Sequence, residues 1–371
     1  VLFDVYELQL EHMISSDVLF FALVTVAVVL LVWWDTPPWP ALVAAGLLVG
    51  YSATVRDIGE PMLAVVVIGM IARRMGWRRI VATAAAGIVP IAAYVIWYHS
   101  ATGQFALDDG GPFLYSRVQT FAECSQMNPP ANLRVLCDPR PPADRPDAED
   151  YIWASNQPLM ELTPGDNNSE NEFTPKLSSM SSSFGKLAIE SQPLAYAKAV
   201  AGDILTPFDW NRVGSNGDLS NGLGNVTGTG TLFQFERTEP ALPAFVTPST
   251  GGYKATRAFG GASLGLTRVV QPWARFLWLY QHVYVRGPIV AVILLLGLAG
   301  VVTSLRRRAW RDGRWGGLGL LPWLIGATLV IVPPMTAGYS YRYLLAAVPF
   351  LCLAAGLAFA GWRDAKAAKD R

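Results

Sequence analysis

Three short polar clusters carry the residues equipped for chemistry. Glu11, His12, Ser15, Ser16 and Asp17 stand just before a long apolar run. Arg56, Asp57 and Glu60 lie between two further apolar runs, and Tyr339, Tyr341, Arg342 and Tyr343 open the last one. A guanidinium offers a planar fork of donors that fits a phosphate through charge-assisted hydrogen bonds. A carboxylate beside it can take a proton from an attacking hydroxyl. Asp17 and Glu11 are the candidate catalytic acids; Arg56, Arg342, Tyr341 and His12 are the candidate phosphate ligands. His12 and the acids also have the donor types to share a hard divalent cation. Each residue has a plainer role as well. An arginine at the end of a membrane helix often only reaches for the interface. Asp17 suits a helix N-cap after Ser15-Ser16, Glu11 and His12 suit a solvated turn, and the tyrosines suit an aromatic belt.

Clusters so far apart in the chain need a scaffold to bring them together, and composition says what kind. Of the 371 residues, 52% are hydrophobic and 15% charged, against about a quarter charged in a soluble domain. Mean hydropathy is +0.30. The net charge of +1 comes with no basic patch interleaved with aromatics, so no nucleic-acid partner is expected. No nucleotide-binding loop, zinc signature or nucleophile elbow is present, which argues against an ATP-driven machine. The chain opens at Val1 in a polar stretch with no signal peptide, which reads as an N-terminal truncation.

A helix crosses the hydrocarbon core with about 20 mainly apolar residues. Val18–Trp34, Trp39–Val55, Ile58–Ala72, Ile80–Tyr98, Pro288–Leu305, Gly316–Met335 and Tyr343–Gly361 are runs of this kind. Ile58–Ala72 is short and contains Glu60, so it reads as tilted, broken or re-entrant. The expected fold is an all-α polytopic membrane protein with about seven spans. Its regions are 1–98, 99–287 and 288–371, membrane parts flanking one long outer loop. Arginine and lysine in short loops mark the cytoplasmic side. Arg73, Arg74, Arg78 and Arg79, then Arg306, Arg307, Arg308, Arg311 and Arg314, then the tail with Arg363, Lys366, Lys369 and Arg371 all fall on one side if each run crosses once. The three polar clusters and the long loop then lie outside the cell membrane.

That loop is far longer than the roughly 12–15 residues of an ordinary connection. Asp108-Asp109 near its start has the look of a metal motif, but two residues are a slight signal and a solvated turn is the favoured reading. In an oxidising compartment Cys124 and Cys137 would close a ring of about 14 residues, worth roughly 3 kcal/mol by loop entropy; otherwise they are two free loop thiols. The Pro-rich stretch Pro129–Pro164 reads as extended or irregular chain. Asn167–Ser183 reads as polar loop, and Phe184–Leu205 as a helix interrupted at Pro193. Asn211–Thr231, rich in Gly, Asn, Ser and Thr, reads as flexible. Leu264–Val285 reads as a helix lying on the membrane, with Trp273, Trp278 and Tyr280 at headgroup level.

Three segments carry a family resemblance. Leu10-Glu11-His12-Met13-Ile14-Ser15-Ser16-Asp17-Val18-Leu19-Phe20 resembles the (L)-S-(E/D)-x-L-F entry to a mid-chain span in GT-C glycosyltransferases. Gly46–Glu60 is similar to the G-L-x-x-G-x-A-x-x-x-R-x-x-G span that follows it. Tyr341-Arg342-Tyr343-Leu344-Leu345-Ala346-Ala347-Val348-Pro349-Phe350 resembles the R-Y-L-L-P-x-x-P segment near the end of such enzymes, with alanine where a first proline is common. The long loop matches only loosely, in the style of actinobacterial members. The resemblance implies transfer of a sugar from a polyprenyl-phosphate carrier to a glycan, lipid or protein acceptor on the outer face, with membrane lipids around it. It implies that Asp17, Arg56 and Arg342 support the carrier phosphate and the site wall, with Glu11 and His12 matching less firmly. It also implies that the family's catalytic aspartate, in a first outer loop, lies upstream of Val1. An O-antigen-type polymerase or ligase shares the many spans, the large outer loop and the outer arginines. A transporter would place polar groups near the midplane, and a membrane-anchored scaffold would use the loop to bind a partner.

Overall fold

The computed structural model describes residues 4, 7–8, 11, 16–107, 110–148, 150–153, 156–162, 173–210, 270–280, 285–306 and 318–369. Among the described residues there are helices and no strands. The apolar runs fold as α1 (Ser16–Val32), α2 (Trp39–Val55), α3 (Glu60–Ala72), α4 (Trp77–Thr102), and, after the long loop, α9 (Gly287–Arg306), α10 (Leu320–Thr336) and α11 (Tyr341–Lys369). Between them lie α5 (Gly111–Gln119), α6 (Pro175–Ser191), α7 (Pro193–Leu205) and α8 (Trp273–Tyr280). By length and composition, α4, with 26 residues, is the one described helix able to cross a membrane by itself; α1, α2, α10 and parts of α9 and α11 are shorter apolar helices.

Glycine sets the closest approach in the bundle. A Cβ at Gly46 of α2 would collide with the Thr83 carbonyl of α4, and one at Gly50 with the Gly87 carbonyl. Small residues one turn apart let two backbones touch. Around this pair, α1, α2, α3, α10 and α11 share one hydrophobic core, with Leu31, Leu42, Met62, Leu321 and Leu351 fully buried. The helices nonetheless carry apolar residues outward. Val26, Leu47, Ile68, Ile88, Ile96, Val292 and Leu295 are exposed, and in α4 the buried residues are Thr83 and Gly87.

The long loop has a core of its own, with Tyr115, Val118, Leu136, Tyr151, Leu159 and Phe184 at its centre. A disulfide joins Cys124 to Cys137 across 6.1 Å between Cα atoms. Two expectations about this region are corrected. The serine-rich 175–183 is not loop but the first half of α6. Thr174 caps that helix by accepting from the Leu177 amide at 3.4 Å, and Pro175 occupies its first turn. Its small serines allow α5 to press in so closely that a Cβ at Gly111 would strike the Ser178 carbonyl. The Pro-rich stretch is also not extended throughout. It holds the short turns Ala131–Arg134, Pro142–Asp144, Asp150–Trp153 and Pro158–Glu161, and Pro142 and Pro158 sit where a helix start needs no amide. The predicted break before Pro193 falls at Gln192, between α6 and α7. Helix Leu264–Val285 is described only as α8, and Asp108-Asp109 and Asn211–Thr231 lie outside the described residues.

A buried carboxylate pins this outer core. Asp138, with 1% of its side chain exposed, accepts from Arg140 Nε at 2.9 Å, from Arg140 Nη2 and from the Tyr151 hydroxyl. Burial alone would raise its pKa; these bonds outweigh burial and bring it down to about 2. Burial and the bond to Asp138 push the Tyr151 phenol up.

Candidate functional site

The start of α1, the end of α2 and the start of α11 meet at one end of the bundle. Arg56 is placed there by the way α2 stops. Its amide still donates to the Ser52 carbonyl at 3.1 Å, but its own backbone is extended, at φ −152° and ψ 143°. A short 3-10 turn, Asp57–Gly59, follows, closed by Gly59 N donating to the Arg56 carbonyl at 2.8 Å. Gly59 lies so tightly on the last turn of α2 that a Cβ there would strike Ser52. The turn thus fixes the direction in which the Arg56 side chain leaves the helix.

That direction is toward Asp17. Arg56 Nη1 lies 2.7 Å from Asp17 Oδ1 and donates to Ser16 Oγ at 3.3 Å. Its Nη2 donates to the Tyr343 hydroxyl at 3.2 Å, and its guanidinium carbon sits 5.4 Å from the centre of the Tyr343 ring. Asp17 is buried in the first turn of α1, where the helix N-terminus favours an anion. Arg342, in the first turn of α11, approaches the other Asp17 oxygen at 3.8 Å, and its Nε donates to Ser340 Oγ at 3.4 Å. One arginine therefore grips the carboxylate. The second stands farther off, with 31% of its side chain exposed.

Of the sequence candidates, Asp17, Arg56 and Arg342 come together. Glu11 is exposed and forms no ion pair with either arginine among the described residues. His12 lies outside the described residues, as does the Tyr341 side chain. Tyr343, named in the polar cluster but not as a ligand, is the tyrosine that holds Arg56. Asp57 and Glu60 are exposed beside the turn. Among the described residues no group of three His, Cys, Asp or Glu side chains is arranged to hold a metal. Sequence reasoning missed Glu7. Burial first, then the Glu11 and Asp4 carboxylates and more weakly Asp17, raise its pKa to about 7, the range suited to proton exchange. Its half-buried setting comes from a tertiary contact, since Asp4 near it accepts from the Val285 amide at 2.8 Å. No local pattern announces that contact.

No family model, curated protein or solved structure matches the chain.

Proposed function

We propose that the protein is a polytopic membrane enzyme of GT-C type that transfers a sugar from a polyprenyl-phosphate carrier to an acceptor on the outer face of the cell membrane. The observation that carries this reading is the convergence of Asp17 and Arg56, near the start of the chain, with Arg342, near its end. Two guanidiniums across one carboxylate suit a phosphate that must be held while its bond to the sugar breaks. Membrane integration is supported by the outward apolar faces of α1–α4 and α9–α10. A helix apolar on every side needs an apolar surrounding, and these faces are not covered by protein. With about seven crossings the arginine-rich turns face the cytoplasm, and the site and the 99–287 domain face outward.

In this mechanism the carrier phosphate draws Arg342 away from Asp17, while Arg56 stays on its tyrosine and serine partners. An acceptor hydroxyl attacks the anomeric carbon, and the bond between that carbon and the phosphate oxygen breaks. The electron pair leaves with the lipid phosphate, where the arginines meet its growing charge. The acceptor proton passes to a carboxylate, and Asp17 is the one that stands beside the arginines. Membranes containing the Arg342→Ala protein at normal abundance test this with a radiolabelled polyprenyl-phosphate sugar. Transfer should fall at least a hundredfold; undiminished transfer removes Arg342 from the mechanism. Product mass separates single-sugar transfer from the joining of whole oligosaccharide blocks.

A further inference from the structure

Among the contacts of the 99–287 region with the bundle beside the site, one runs through a shared atom. Asp203 of α7 accepts from Arg117 Nη1 of α5 at 2.9 Å, and the same Oδ2 accepts from the Tyr339 amide at 3.2 Å. Tyr339 belongs to the turn between α10 and α11, three residues before Arg342. Nearby, the Tyr196 hydroxyl of α7 donates to the Met335 carbonyl at 2.9 Å. The turn itself is tight. Ala337 and Gly338 both donate to the Pro333 carbonyl at 2.9 Å, and Gly338 has φ +144°, a conformation that favours glycine. Ser340, 6% exposed, follows and accepts from Arg342 Nε.

Arg117 gives this contact its weight. It is 2% exposed, set among the apolar residues of the outer core, and its Nε and Nη2 have no hydrogen-bond partner. A buried guanidinium left without its counter-ion is strongly destabilising, so Arg117 must keep Asp203 in place. Asp203 in turn spends its second contact on the turn of the bundle rather than on its own domain. A purely internal counter-ion for Arg117 would not need that geometry.

We propose that Asp203, anchored by Arg117, is a positioning residue that aims Arg342 by holding the 337–340 turn, so that the outer domain sets the geometry of the phosphate site. The inference rests on the reading of Arg342 as a phosphate ligand, and two separate readouts keep the two apart. The first needs no ligand. In the full chain with Cys352→Ser and Ser340→Cys, the maleimide labelling rate at position 340 reports whether the turn is held. Asp203→Ala should speed labelling at least tenfold, and Arg117→Met with Asp203→Asn, which keeps an acceptor for Tyr339 without stranding a charge, should stay within threefold of the parent. Arg117→Met with Asp203→Leu removes the charge and the acceptor together, folds without an orphaned ion, and should also speed labelling. The second readout is binding of farnesyl monophosphate in detergent. Asp203→Ala should weaken it, Arg117→Met with Asp203→Asn should restore it, and Asp203→Ala combined with Arg342→Gln should bind no worse than Arg342→Gln alone. Unchanged labelling in both acceptor-free variants overturns the latch, as does full additivity of the two losses in binding. Labelling that changes as expected in a parent protein that binds no farnesyl monophosphate upholds the latch and overturns the phosphate reading alone.

Discussion

The two arginines at the site should separate cleanly in a stability measurement. Arg56 and Asp17 are 2.7 Å apart with 14% and 10% of their side chains exposed. Two unit charges about 4 Å apart at an effective dielectric of about 20 attract by roughly 4 kcal/mol, less what each loses on leaving water. Removing one partner strands the other charge, which costs about 3–5 kcal/mol. Arg342 faces the same carboxylate from 3.8 Å with 31% of its side chain exposed, a geometry worth at most about 1 kcal/mol. Asp17→Asn and Arg56→Gln should therefore each lower the unfolding free energy by about 3 kcal/mol. The double variant should lose much less than the sum, with a coupling of about 2 kcal/mol. Arg342→Gln should leave stability within about 1 kcal/mol of the parent while abolishing sugar transfer. The assay is reversible denaturation of the purified full chain in mild detergent, followed by tryptophan fluorescence and read as a double-mutant cycle. Additive losses for Asp17 and Arg56 would refute the argument, and so would an Arg342→Gln loss equal to that of Arg56→Gln.

Asp138 contributes stability that is present above its unfolded pKa of 3.8 and is lost as pH falls through about 2. That difference corresponds to about 2 kcal/mol, so Asp138→Asn should weaken the outer domain at pH 7 and converge with the parent below pH 2, as near-ultraviolet circular dichroism of the melting domain would register. Glu7 has the opposite sign: its pKa is raised from 4.5 to about 7, so the protonated form is favoured and stability falls as pH rises through 7. Glu7→Gln should raise the thermal midpoint at pH 8 and leave it unchanged near pH 4. Gly50→Leu should force α2 off α4 at a cost of about 3 kcal/mol and displace Arg56, whereas Gly76→Ala, with open space around the new methyl, should be near neutral in the same melting assay.

The apolar runs were legible because uniform hydrophobicity over a helix length has few other outcomes. Ile58–Ala72 reads as tilted, broken or re-entrant; in the structure a 3-10 turn, Asp57–Gly59, leads into a continuous helix over Glu60–Ala72. The serine-rich start of α6 was not legible as helix, because its polar composition resembles loop until Gly111 and the Thr174 cap are seen in place. The prolines of 129–164 read as extended or irregular chain; the short turns among them form because a proline fits the first position of a helical turn as well as it fits an extended one. Asp17, Arg56 and Arg342 are legible as one group through expected sidedness and through the resemblance of the three segments that hold them, with no single local motif that joins them. The choice between Tyr341 and Tyr343 is not, because two helical residues point about 200° apart and only packing decides which meets Arg56. Glu7, Arg117 and Asp203 owe their properties to contacts far away in sequence, and nothing beside them in the chain encodes those contacts.

At the far end of the bundle, Arg73 donates to the carbonyls of Leu31, Trp34 and Asp35. It thereby rivets the end of α3 to the end of α1, just as Arg56 rivets their opposite ends through Asp17 and the 3-10 turn. Helices fastened at both ends swing as a single plank. Arg342 rides on α11, outside that plank and tied to it by the looser of the two ion pairs. The looser attachment therefore lies between the two arginines, where α11 meets the frame that holds Asp17.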